Sequence, residues 1–267
     1  MAEKLNRKGQ VSIWIILGVI LVGSILLFFA ISRGPGIINP GSGGVFDMQS
    51  FLEQCVKEDV EEVVDLILPH GGFLQPKNSV LYREIEVEYL CYNNGYYNVE
   101  PLGTCVQQHM IKSEIKSEIK KYLDDGRMAD CFREMETEFD KRGDLNYENN
   151  LPPEVNLDWG PDKIVVEINK ETTIENSGEK RRFNNFVVEV KSPAYNLAHV
   201  ANTIALQQAE TCYFEYVGYG LIYPRYDIDL FVMSDSSKVY SITDEDSGLV
   251  MNVAVRACAS THGLGGI

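Results

Sequence analysis

The chain has no Asn-X-Ser/Thr sequon, no Cys-X-X-Cys pair, no His-Glu-X-X-His frame and no Gly-X-Ser-X-Gly elbow, and only four histidines. The missing sequon leaves N-glycosylation without an acceptor. The missing Cys-X-X-Cys argues against a dithiol redox motif and a zinc ribbon. His70, His109, His199 and His262 are far apart in sequence and fall in no metallohydrolase frame, and serine chemistry lacks its strand-to-helix elbow. Basic residues are also scarce: 24 Lys and Arg stand against 39 Asp and Glu, a formal charge of −15. Phosphate contacts dominate nucleic-acid affinity, so such a surface repels nucleic acid, and none is expected as a partner.

What the sequence does have is an uncharged run at Val11–Ile31, with nothing more polar than Ser12 and Ser24. At about 1.5 Å per residue it makes a helix of roughly 31 Å, matched to a hydrocarbon core of about 30 Å. Lys4, Arg7 and Lys8 precede it and Arg33 follows. The positive-inside rule therefore keeps residues 1–10 in the cytoplasm and displays the remainder outside. A cleaved secretory signal has a shorter apolar core and a small-residue cleavage site, which Ile31-Ser32-Arg33 does not supply. The chain beyond residue 32 keeps 21 of the basic and 38 of the acidic residues, about −17 in charge.

Just ahead of the run, Arg7-Lys8-Gly9-Gln10-Val11-Ser12 resembles the processing site of archaeal class III signal peptides, the type IV pilin-like kind. The resemblance implies a prepilin-type cut between Gly9 and Gln10 that leaves the span on the mature protein. Unlike archaellins and pilins, Val11–Leu17 carries no glutamate, and Trp14 sits about where it would be, suiting an interfacial anchor. Gly34-Pro35-Gly36 opens a Gly/Pro linker over 32–46 and should stop the membrane helix at the surface, whereas pilin subunits run it unbroken into the head.

All six cysteines, Cys55, Cys91, Cys105, Cys131, Cys212 and Cys258, fall on the outer side of this topology. An even count in an oxidising compartment reads as disulfides. Six cysteines allow 15 pairings, and sequence alone does not choose among them. The layout of elements favours Cys55 with Cys131 across neighbouring helices, Cys91 with Cys105 closing a hairpin onto the next helix, and Cys212 with Cys258 tying a helix to the sheet. Cys105 with His109 and Cys258 with His262 are Cys-X-X-X-His pairs that zinc could use, but oxidised thiols disfavour it.

In chain order, apolar residues at Phe51, Leu52, Cys55, Val56, Val60, Val63, Val64, Ile67 and Leu68 predict a helix over Asp47–Leu68, ended by Pro69-His70-Gly71-Gly72. This acidic, cysteine-bearing helix followed by Gly71-Gly72-Phe73 resembles a segment of uncharacterised membrane-anchored proteins of small-genome archaea. The resemblance continues loosely through Cys131 into the second half, and implies a shared ectodomain to which no activity is attached. Val80–Val99 predicts a hairpin turning at Asn93-Asn94-Gly95. Thr104–Leu123 predicts a helix with Ile111, Ile115 and Ile119 on one face, Asp124-Asp125-Gly126 breaks it, and a second helix covers Met128–Lys141. After a polar joint from Leu145 to Pro153, Lys163–Ile174 and Phe183–Lys191 predict a hairpin about Asn176-Ser177-Gly178. Its one dense basic spot, Lys180-Arg181-Arg182, reads as a solvated loop. A helix is predicted over Leu197–Tyr216. Strands Asp227–Met233 and Leu249–Cys258 are predicted to pair around the acidic turn Asp244–Gly248. That turn has the oxygen chemistry of a calcium site without its spacing, so it reads as a loop.

Tyr82, Tyr89, Tyr92, Tyr96 and Tyr97 form one tyrosine-rich stretch, and Tyr213, Tyr216, Tyr219, Tyr223 and Tyr226 a second. Tyrosine suits contact surfaces as well as cross-strand pairs, and the second role is favoured. The expected fold class is an α+β ectodomain of helices and antiparallel hairpins after one transmembrane helix, with a helix-rich half over 47–151 and a β-rich half over 152–267. The expected function is a membrane-anchored cell-surface structural or interaction protein. Its partners would be the bilayer through residues 11–31 and a protein at the cell surface. No catalytic residue, cofactor or metal is assigned. A type IV pilin-like filament subunit is the first alternative, and an extracytoplasmic hydrolase the second, since triads assemble in space rather than in sequence.

Overall fold

The computed structural model describes residues 47–93, 105, 107–108, 110–140, 152–176 and 179–258. The basic segment 1–10, the run 11–31, the linker 32–46 and the Gly9–Gln10 site lie outside the described residues, as do Tyr96, Tyr97, His109 and His262. Among the described residues no helix is long and apolar enough to cross a membrane.

Helix α1, Met48–Ile67, is opened by Asp47, whose carboxylate accepts from the Gln49 amide at 3.1 Å and the Ser50 hydroxyl at 2.8 Å. Its apolar stripe, Met48, Leu52, Val56, Val60, Val63, Val64 and Ile67, is buried. One 3-10 turn, Leu68–His70, follows, and Gly71 and Gly72 at φ of 80° and 93° end it, their amides returning to Leu68 and Ile67 carbonyls. At Gly72 the absence of a side chain sets the packing distance: a Cβ there would stand 2.6 Å from Ile115 Cγ1 and 2.8 Å from Ile111 Cδ1. Those isoleucines belong to helix α2, Ile111–Tyr122, which buries Ile111, Ile115 and Ile119. The helix starts at Ile111 rather than Thr104 because Gln107–Gln108 forms a short strand, β3. Gly126, at φ 90°, breaks the helical run, and helix α3, Met128–Asp140, follows with Cys131, Phe132 and Met135 buried.

Strands β1, Ser79–Tyr82, and β2, Ile85–Tyr92, pair antiparallel around Arg83 and Glu84. A turn thus falls at Arg83-Glu84, with Tyr82 facing Ile85, ahead of the hairpin expected about Asn93-Asn94-Gly95, whose residues 94–99 lie outside the described residues. β2 also pairs with β3 and, in parallel, with the last strand β9, Val250–Arg256. The other pairs are antiparallel, as the expected hairpins are. One correction is β8, Lys238–Asp244, which sits between β9 and β7, Tyr226–Val232, so the two strands expected to pair are not neighbours. The sheet runs β1-β2-β9-β8-β7 with β3 beside β2.

A separate three-stranded antiparallel sheet consists of β4, Glu154–Gly160, β5, Lys163–Asn176, and β6, Glu179–Lys191. β4 follows the joint directly, in a stretch where no element is expected from sequence. Lys180-Arg181-Arg182 is within β6, not in a loop. Between the sheets, helix α4, Ala194–Thr211, stops at Cys212, whose φ of 60° is left-handed, and a second helix, α5, Tyr216–Ile222, completes what was expected as one helix to Tyr216. α1 packs on β6, α2 and α3, while α4 packs on β2, β8 and β9. β2 from the helix-rich half is thus hydrogen-bonded to β9 from the β-rich half, and residues 47–267 form one compact unit.

All six cysteines are paired. Cys55–Cys131 joins α1 to α3, Cys91–Cys105 joins β2 to the approach to β3, and Cys212–Cys258 joins the end of α4 to the residues after β9, with Cα separations of 6.0, 5.4 and 5.6 Å.

Candidate functional site

The clusters of charge resolve first into structural roles. Arg225 takes the place a cation would have in the acidic turn. Its Nε is 2.6 Å from Asp244 Oδ2, its Nη2 2.6 Å from Asp162 Oδ1, and Asp246 lies at 3.5 Å. Asp244 is fully buried and also accepts from the Ser247 amide and hydroxyl, each at 3.0 Å. Its carboxylate is satisfied by the guanidinium and the turn itself, which is how a buried charge is tolerated. Hydrogen bonds to Asp162 and Asp244 in turn hold the Arg225 pKa above its ordinary value.

Among the described residues, three potential metal ligands converge at Cys55, Asp59 and Cys131, and the two sulfurs there are bonded to each other. Burial raises the Asp59 pKa, against the opposing pull of Arg127 at 3.6 Å. The zinc pairs considered from sequence use Cys105 and Cys258, both in disulfides. His70 Nδ1 lies 2.7 Å from the Glu86 carbonyl oxygen, and His199 is exposed on α4.

A buried polar relay closes the end of α4. Lys238 donates to the Cys212 carbonyl at 2.7 Å and to Gln208 Oε1 at 2.9 Å, and Gln208 Nε2 donates to the Tyr240 hydroxyl at 2.5 Å. A lysine on the last carbonyls of a helix opposes the negative end of its dipole. Burial nevertheless lowers the Lys238 pKa and raises that of Tyr240.

This relay supports the second tyrosine-rich stretch, where several large apolar side chains are exposed. Phe214 is buried and meets Tyr240 edge-on with centroids 5.7 Å apart. Tyr219 packs between Phe214 at 5.4 Å and Tyr223 at 4.7 Å, with Tyr226 at 6.5 Å. The rings thus build a platform under α5. Glu215 caps that helix by accepting from the Gly218 amide, and it also accepts from the Tyr213 hydroxyl. That hydrogen bond raises the Tyr213 pKa and lowers that of Glu215.

None of the residues of α5 is buried. Val217 is 56% exposed, Leu221 80% and Ile222 71%, with Tyr213 and Tyr223 beside them. The helix lies along β7, the outer strand of its sheet, which exposes Phe231 and Val232 at one end and Asp227 and Asp229 at the other. Contiguous apolar exposure of this kind marks a contact surface, whereas single exposed side chains do not. The tyrosines here serve both roles weighed from sequence: Tyr219 packs, and Tyr213 and Tyr223 face out. Tyr82 and Tyr89 of the first stretch are buried in the core beside Val87, Val239 and Ala254. The aliphatic residues of α5 were not singled out from sequence. The signal was available in Val217, Leu221 and Ile222, which fall on one side of a helix while Tyr219 and Gly220 fall on the other.

Compared with family models, curated proteins and solved structures, the chain matches none.

Proposed function

We propose that this protein is a membrane-anchored cell-surface structural or interaction protein, held by residues 11–31, with its acidic α+β ectodomain on the oxidising side and the α5–β7 face as its contact surface. The observation that carries the reading is the complete pairing of the cysteines in three disulfides. Reducing compartments disfavour such pairing, and the disulfides lie beyond a 21-residue uncharged run preceded by basic residues. The Gly9–Gln10 motif belongs to the same proposal: prepilin-type processing gives a mature chain that begins at Gln10 and keeps the run. Mass spectrometry of the native amino terminus tests it, since a chain beginning at Met1 or Ala2 removes that step. Protease added to intact cells should digest the ectodomain and leave the 11–31 run protected. Digestion only after lysis would overturn the topology.

A further inference from the structure

Helix α5 is built with its apolar side outward. Of its small residues Gly220 faces the protein, where a Cβ would stand 3.3 Å from the Tyr226 carbonyl oxygen. Its large ones, Val217, Leu221 and Ile222, face solvent, and the aromatic platform of Phe214, Tyr219 and Tyr240 fixes that orientation. We propose that Val217, Leu221, Ile222 and Tyr223 bed into the outer leaflet of the bilayer that anchors the same chain, with uncharged or zwitterionic headgroups around them. This rests on the anchoring proposed above and names the partner of the α5 face.

Three observations favour lipid as the occupant. The exposed group pairs aliphatic side chains with tyrosines, and tyrosine's apolar ring with a polar tip is the side chain that membrane–water interfaces favour. The folded unit begins at Asp47, 15 residues after Ser32, so the 32–46 linker spans at most about 50 Å even when fully extended. A tether that short limits how far the folded unit can stand from the bilayer, so that contact too weak for a free protein suffices. The third observation is charge. Glu215 caps α5, and Asp227 and Asp229 are exposed on the adjoining β7, on a chain of net charge −15. Two copies brought together through the α5 face would set these carboxylates against their own kind, while a neutral headgroup layer raises no such repulsion.

The test uses the full-length chain reconstituted in phosphatidylcholine vesicles whose acyl chains carry bromine, with Trp14→Phe removing the tryptophan of the 11–31 run and Leu221→Trp placing an indole on the face. Trp159, on β4, serves as the reference on the folded unit. The emission introduced by Leu221→Trp should be quenched at least about twofold more than that of Trp159, and Ile222→Asp should abolish the difference without lowering Tm. Equal quenching on chains that still float with the vesicles overturns the proposal and leaves the anchoring intact. Chains that fail to float overturn the anchoring itself. Protection of α5 amides without quenching, rising with protein-to-lipid ratio, assigns the face to a second copy and also overturns the proposal.

Discussion

At the β1–β2 turn two consecutive residues that are not glycine hold left-handed backbone, Arg83 at φ 48° and Glu84 at φ 70°. A two-residue hairpin whose strands twist normally needs positive φ at both central positions, which Asn-Gly adopts with least strain. Each ordinary side chain there costs roughly 1–2 kcal/mol. The pair Arg83→Asn, Glu84→Gly should therefore stabilise the fold by at least about 1 kcal/mol, read as a higher denaturation midpoint. Arg83-Glu84 carries no turn signal of its own, which is why the β1–β2 turn was not legible in the sequence. Arg225 works in the opposite sense. Replacing it with Met leaves Asp244 buried without its counter-charge, and should cost about 3–5 kcal/mol in urea unfolding. Asp59 gives a pH dependence. Burial raises its pKa above the ordinary 3.8, so the folded state holds this proton to higher pH than the unfolded chain does. Its contribution is complete below 3.8 and is lost as pH rises through the raised value. Asp59→Asn should gain stability relative to the parent over that rise, as seen in Tm measured against pH.

At the scale of elements, the disulfides order themselves by the loops they close, 76 residues for Cys55–Cys131, 46 for Cys212–Cys258 and 14 for Cys91–Cys105. In the chain-entropy model the first is worth about 4–5 kcal/mol and the last about 3. The paired substitution Cys55→Ser, Cys131→Ser should accordingly lower stability more than Cys91→Ser, Cys105→Ser, measured as midpoints under the same oxidising conditions. The sequence was informative where an element carries its own period and punctuation. α1 has Asp47 at one end and Gly71-Gly72 at the other, and α2 has isoleucine every fourth residue. It was silent where the decisive partner is remote. β8 ends at Thr243-Asp244, which reads as a turn until Arg225 is seen against the buried carboxylate. β4 lies between Pro153 and Pro161, and its short alternation of Val155, Leu157 and Trp159 was not read as a strand. Tyr89 faces Ala254 across the parallel β2–β9 pair, and no local pattern encodes a match between residues so far apart. The α5 face was half legible: its tyrosines stood out, while the outward aliphatics emerged only once the helix had a direction.

For the molecule as a whole, the helix-rich and β-rich halves are one folded unit, tied across the chain by the β2–β9 pair and within it by three disulfides. An acidic, covalently braced body of this kind suits the outer face of a membrane, where high net charge favours solubility and oxidised cysteines persist. The central claim is one of address, and it is tested most directly by fractionating cells that express the full chain, blocking free thiols at lysis and mapping peptides without reductant. The account predicts recovery with the membranes, with Cys55–Cys131, Cys91–Cys105 and Cys212–Cys258 linked and no thiol alkylated. Recovery in the soluble cytosolic fraction with all six thiols alkylated would contradict it.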